Sequence, residues 1–294
     1  MRLVTRCRTK AFSRLLYCSQ TCGRRTLLSM KSQEFVAHPE LARDIQLIWM
    51  MELSSEVEFG PPTTVLPDGI VEIIFHYGSP FRMQVGDEPS FIQPRSLAVS
   101  QTHRPIHIAP TGPSGFLSVR FFPWGAHQYF DLPVHEFADR TVSTEHLWGP
   151  QARALEDEIG SASTMRQRVR ILERFLISQR RSRRVDNEAL IRKVVSRRGR
   201  ISVRELASGL GLGERQIERR FRDSVGVSPK HFARLCRFLS TCHLLSNRQP
   251  TTTAEVALQA GFFDQAHLHH DFVAFSGMTP SAFAQEQGIS FLEL

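Results

Sequence analysis

Hydrophobic positions change their period along the chain. Over residues 35–59 a helix-start signature, His38-Pro39-Glu40, precedes Ile45, Ile48 and Trp49 at near-helical spacing, which predicts a helix. From 63 to about 122 the pattern becomes short apolar runs cut by Gly and Pro. TTVLPDGIVEIIFHYG carries a Pro-Asp-Gly turn and then Ile70, Val71, Ile73, Ile74 and Phe75, which reads as a buried strand after a tight turn. SLAVSQ, RPIHIAP and GFLSVRFFP repeat the pattern, so this stretch predicts a small, mainly antiparallel β unit. From about 131 the pattern turns helical, with candidates at 144–160 and 164–178. In the second, Met165, Val169, Leu172 and Leu176 share one face. That stripe suits core packing, with a dimer seam as the alternative.

The C-terminal third repeats itself. Ala207 and Ala257 lie 50 residues apart; Phe221 and Phe272, Gly226 and Gly277, Pro229 and Pro280, and Phe232 and Phe283 lie 51 apart. Each copy reads as helix-turn-helix. Val203, Leu206 and the small Ala207 mark a first helix, Gly209 to Gly213 a turn, and Glu214 to Val225 a second helix. Ile217 and Phe221 bury one face of that helix, so at 100° per residue Arg215, Arg219 and Arg222 point the other way. A guanidinium can take guanine O6 and N7 together or hold a phosphate. Glu218, on the flank, can accept from cytosine N4. A solvated helix face would carry such arginines too; the repeated turn chemistry favours recognition.

In the second copy Leu268 and Phe272 take the buried places. Ala266, His270 and Val273 point outward, with Gln265, His267 and His269 beside them. Gly226-Val227-Ser228-Pro229 and Gly277-Met278-Thr279-Pro280 each end one helix and cap the next. Residues 229–245 then predict a bridging helix of about 25 Å, which roughly suits two recognition helices in successive major-groove turns ~34 Å apart.

Length and charge sharpen this picture. A chain of 294 residues suggests about two domains. Residues 1–29 hold seven basic and no acidic residues, whereas 30–150 hold seven basic and fourteen acidic. From 151 onward the balance is basic again, toward a net charge of +8. A basic C-terminal half suits a nucleic-acid partner. The first 29 residues suggest either an organellar transit peptide or, as we prefer, a disordered extension ahead of a start at Met30. QRRSRRVDN at 179–187 reads as a basic linker.

Residues 186–290 resemble the paired helix-turn-helix module of the AraC/XylS family of bacterial transcription regulators. The matching stretches are ELASGLGLGERQIERRF, GVSPKHF, RFLSTCHLL, AGFFDQAHLHHDF and GMTPSAF. The turn of the first copy is one residue shorter, as in the family. Residues 30–178 resemble, more distantly, an uncharacterised β-rich domain found ahead of such modules, through LPDGIVEIIFHYG, RFFPWGAHQYFDLP and LWGPQARALEDEI. The fold implied is multidomain α+β: a small antiparallel β domain with flanking helices at 30–178, then an all-α domain at 188–290. The resemblance implies a cytoplasmic regulator binding double-stranded DNA, contacting RNA polymerase, with an effector or a homodimer contact at the N-terminal domain. By position the base readers are Arg215, Glu218 and Arg219, then Gln265, Ala266, His267 and His270, with Arg222 on the same face.

Competing chemistries are poorly served. No apolar run reaches the roughly 18 residues that cross a membrane. The five cysteines, Cys7, Cys18, Cys22, Cys236 and Cys242, make neither a disulfide framework nor a paired zinc pattern, which suits a reducing compartment. His267, His269 and His270, and His76, His103 and His107, lack accompanying metal-ligand spacing, so neither metal nor cofactor is expected. Residues 30–235 contain no Cys and the chain no Gly-x-Ser-x-Gly elbow, which counts against a DNA-targeted enzyme. A helical protein-interaction module is the remaining alternative. The family often has Ser, Phe and Arg where this chain has Ala266, Leu268 and His270. A histidine there is mostly neutral near pH 7. DNA affinity of the second motif is therefore expected to rise from pH 8 to pH 6, and His270→Ala to remove that rise in a binding titration.

Overall fold

The computed structural model describes residues 30–54, 62–181, 187–246, 252–285 and 289–290. The basic extension at 1–29 and residues 182–186 of the basic stretch lie outside the described residues.

The N-terminal half is built on two sheets. The first runs β1 (Met30–Phe35), β2 (Ile45–Leu53), β9 (Ser114–Phe121), β4 (Glu72–His76), β7 (Ser96–Val99) and β10 (Thr141–Ser143), with every neighbour antiparallel. The second runs β11 (Ile289–Ser290), β3 (Thr63–Val65), β8 (Ile106–Pro110), β5 (Phe81–Val85) and β6 (Phe91–Ile92). All its pairings are antiparallel except β11 with β3. The C-terminal region is helical as expected, and beyond its last helix residues 289–290 add to the edge of the N-terminal sheet, where β3 offers an unpaired row of backbone donors and acceptors.

The helix expected within 35–59 is corrected. A turn follows β1, and Ile45, Ile48 and Trp49 lie in β2, paired on one side with β1 and on the other with β9. Ile45, Ile48 and Met50 join one buried cluster, while Trp49, Met51 and Leu53 join another on the opposite face. A strand buried on both faces carries apolar residues at nearly every position, so helical spacings arise in it without a helix.

Helices cover the first sheet. The segment at 144–160 forms two rather than one, α1 (Thr144–Trp148) and α2 (Gln151–Ser161), broken at Gly149-Pro150, where Gly149 has φ 62°. Residue 150 being Pro, no backbone N–H is available there to continue α1. Then comes α3 (Met165–Gln179), started by a reciprocal cap between Thr164 and Gln167. Val169, Leu172 and Leu176 are buried with Ile48, Ile73, Phe75, Leu117 and Val119, with Met165 packed at the margin. The stripe on α3 is core packing.

Between the sheets lies a buried ionic group. Arg120 is 3% exposed. Its Nη1 donates to Glu72 Oε2 at 2.6 Å and its Nη2 to Asp68. Glu72 Oε1 also accepts from Trp49 Nε1 at 2.9 Å. Two carboxylates around one guanidinium offset the desolvation that would otherwise exclude it.

The C-terminal half is helical: α4 (Glu188–Ser196), α5 (Val203–Leu210), α6 (Glu214–Val225), α7 (Pro229–Ser246), α8 (Thr253–Ala260), α9 (Gln265–Ser276) and α10 (Pro280–Gln285). One buried cluster unites them, and Leu66 and Trp124 from the N-terminal half belong to it. The halves meet elsewhere as well. Arg192 on α4 lies 4.5 Å above the Trp124 ring, and Arg43 pairs with Glu188. His135 Nδ1 approaches Asp223 Oδ1 on α6 at 3.6 Å. The rings of His103 and His231 are 4.4 Å apart, centre to centre, with Asp139 on one side of the pair and Phe275 on the other.

Burial lowers the His231 pKa from 6.5 to about 4; the neighbouring His103 and Arg234 act in the same direction, and Asp271 and Asp139 oppose them. The unfolded chain therefore takes up a proton between about pH 6.5 and 4 that the folded chain refuses, so stability is full above that window and falls as pH drops through it. Urea denaturation at pH 7 and pH 5 is expected to show this loss. His231→Phe, which keeps the ring contact, is expected to reduce it; an unchanged difference would remove His231 as its source.

Candidate nucleic-acid interface

Each helix-turn-helix is set by local chemistry before packing acts. Ser202 accepts from the N–H of Glu205, and the Glu205 side chain accepts from the Ser202 N–H. Thr252 and Glu255 repeat the arrangement at the start of α8. These two capping boxes are 50 residues apart, a further element of the repeat that a Ser/Thr-x-x-Glu search would have found. Gly211 and Gly261 end α5 and α8 in the left-handed conformation, as Gly226 and Gly277 end α6 and α9. Ser228 Oγ then accepts from the His231 N–H at 3.1 Å, and Thr279 Oγ1 from the Ala282 N–H at 3.1 Å, starting α7 and α10.

The spacer between the motifs is α7, an 18-residue helix. Its buried Phe232 meets Phe221 of α6, and its buried Phe238 meets Phe272 and Phe275 of α9. Both second helices are thereby fixed to one rod of about 27 Å.

On α6, Ile217 and Phe221 are fully buried, and Arg215, Arg219 and Arg222 are exposed. None of the three has a carboxylate partner among the described residues, so their guanidinium groups are free for an outside anion or base edge. Glu218 sits half-buried on the flank. The opposite end of the same helix touches the N-terminal half: a Cβ added at Gly226 would meet Val134 at 3.1 Å and Ala138 at 3.2 Å.

On α9, Leu268 and Phe272 are buried, and Gln265, Ala266, His269, His270 and Val273 line a shallow surface groove with Ala274. His267 is placed differently. Its ring packs edge-on against Phe262 at 5.4 Å, and its Nε2 is 3.8 Å from Asp271 Oδ2, so it leans back along its own helix. His270 projects outward, its side chain 77% exposed and its Nδ1 3.4 Å from Asp271 Oδ1.

Asp271 is the residue that the sequence reading missed. It is almost wholly buried and takes both Nε and Nη2 of Arg234 on α7, at 2.7 to 3.1 Å. Burial alone would raise its pKa, but the Arg234 guanidinium holds it below the usual carboxylate value. This forked pair seats α9 on α7 at a defined rotation. No short-range pattern announces it, because the partners are 37 residues apart.

A paired helix-turn-helix with two exposed second helices on one bridging helix defines a DNA-binding regulator of transcription. Comparisons place it further. Residues 206–286 match a family described as a helix-turn-helix domain, and residues 33–143 match a domain of unknown function (DUF6597). No curated protein matches the chain. Among solved structures, a probable AraC family transcriptional regulator from Rhodopseudomonas palustris is 31% identical, over 33% of this chain and 91% of that one, with a TM-score of 0.31. ToxT from Vibrio cholerae is 10% identical over 88% of this chain and 98% of its own, with a TM-score of 0.42. The C-terminal domain of AraT, a response regulator from Geobacillus stearothermophilus, is 18% identical over 34% of this chain and 88% of that domain, with a TM-score of 0.31. The chain belongs to the AraC family of transcriptional regulators.

Asp271→Ala leaves the Arg234 guanidinium without its carboxylate, at an expected cost of about 3 kcal/mol. Urea denaturation measures it, and Arg234→Met with Asp271→Leu, which removes both charges, is expected to recover most of the loss. A single variant as stable as the parent would show that the pair does not hold α9.

Proposed function

We propose that the chain reads two adjacent major-groove segments of double-stranded DNA, α6 in one and α9 in the next, and regulates transcription from that site. The observation that carries this reading is the pairing of free arginines on α6 with an outward polar and apolar strip on α9, both on helices seated on α7. In this reading Arg215 and Arg219 contact base edges, Glu218 accepts from a cytosine, and Arg222 holds a phosphate or base. Gln265, Ala266 and His270 face the second segment, with His267 at its margin. Residues 188–290 form the DNA-reading unit. Residues 30–178 form the unit through which an effector or a second copy acts, and contact with RNA polymerase follows from the regulatory role. Contacts from Val134 and His135 to the far end of α6 support such coupling, because anything that moves that loop moves the first reading helix. The cytoplasm is the compartment where this activity belongs.

The reading is a binding function rather than catalysis. Its support is the family and the exposed helices, together with the lack of any Cys in 30–235, which an alkyl-transfer enzyme would need.

Selection from a random double-stranded DNA pool with the full-length chain is expected to enrich a motif of two boxes about one helical turn apart. Arg215→Ala with Arg219→Ala is expected to weaken binding to that motif by about 100-fold, at the lower end for two lost base contacts. Arg222→Ala, if its contact is a phosphate, lowers the salt slope by about one without changing the motif. No enrichment by folded protein at low salt would overturn the reading.

A further inference from the structure

Phe263 is 87% exposed, and among the large apolar side chains described only Val36 is more so. Its neighbour Phe262 is 5% exposed, packed against His267 and lying under Arg237. The chain therefore buries one phenyl ring and leaves the next in water. A lone exposed apolar residue is common and decides nothing by itself. Position and company decide here. Phe263 immediately precedes Asp264, the residue that caps α9, so it stands at the start of the second reading helix. The outward strip of that helix is also poor in charge: Gln265, Ala266, two histidines, Val273 and Ala274.

The two motifs thus offer different chemistry. The first presents three free guanidinium groups. The second begins with a phenyl ring and a methyl group, and Val273 remains 37% exposed further along. Its helix start is also unsuited to a phosphate, since Asp264 already accepts from the His267 N–H at 2.7 Å and adds negative charge. In the floor of the major groove the apolar group on offer is the C5 methyl of thymine. Guanine, cytosine and adenine present donors and acceptors there that a phenyl ring cannot satisfy.

We infer that the second motif selects thymine, with Phe263 and Ala266 packing against 5-methyl groups at the start of its half-site. This rests on the reading above, in which α9 enters the major groove. It adds a base identity and gives a role to Phe263, which lies in the matched stretch AGFFDQAHLHHDF without one. It also makes the two half-sites unlike: guanine contacts under α6, A·T pairs under α9.

The test is a cycle between one side chain and one methyl group. The full-length chain and Phe263→Ser are each used to select sites from a random DNA pool, and binding is then measured to the selected site with deoxyuridine replacing each thymine of the α9 box. The parent is expected to lose about fourfold in affinity at one such position, the worth of one buried methyl. Phe263→Ser is expected to show no loss there and a weaker thymine preference in its own selection. Phe263→Leu, which stays apolar, retains part of both. Because the side chain is exposed, the variants keep the fold, checked by circular dichroism. An identical deoxyuridine cost in parent and Phe263→Ser overturns the inference alone. A parent that enriches no motif overturns the two-segment reading, and this inference with it.

Discussion

Everything the C-terminal half does depends on the burial of α7 between the two motifs. A pair of recognition helices acts as one reader only when the distance and rotation between them are fixed. Phe232 of α7 packs on Phe221, and Phe238 on Phe272 and Phe275, so each second helix is seated by large aromatic surface on the same rod. Apolar burial sets the distance but is indifferent to small rotations. The Arg234–Asp271 fork supplies the direction that it lacks, since two parallel hydrogen bonds tolerate little rotation.

The N-terminal half is joined to this frame rather than tethered beside it. Leu66 and Trp124 enter the helical cluster, Arg192 covers the Trp124 ring, and the loop at 134–138 lies against Gly226 at the end of α6. The polar pairs at this seam, His135 with Asp223 and His103 beside His231, sit where burial and charge both matter. This seam sets packed groups of the β unit directly against the first motif, and α7 joins that motif to the second.

Much of the C-terminal site was legible because its signals are local. Gly-x-Ser/Thr-Pro caps, the small Ala207 and Ala257, and apolar residues one helical turn apart act within a few residues, and α6 begins and ends where the spacing places it. The outward set was legible for the same reason: once Ile217 and Phe221 are buried, helical geometry forces Arg215, Arg219 and Arg222 out. His267 shows the limit. Its position on the helix puts it beside the outward face, but Phe262 and Asp271 draw its ring back. The failure at β2 has a related cause. Ile45, Ile48 and Trp49 sit in a strand covered on both faces, and period loses its meaning where both faces carry buried apolar residues.

The sequence by itself determined the class of each segment where one face meets water, the two copies of the motif, and the side chains that point away from them. A one-sided amphipathic pattern is a local consequence of solvent, so it can be read without the fold. Tertiary structure alone decided that β2 pairs on both sides and that residues 289–290 pair with β3. It also decided that Arg234 reaches Asp271, and that the β unit rests against α6. Those outcomes depend on which surfaces meet across tens to hundreds of residues. The chain records such meetings only as apolar or charged positions, without naming their partners.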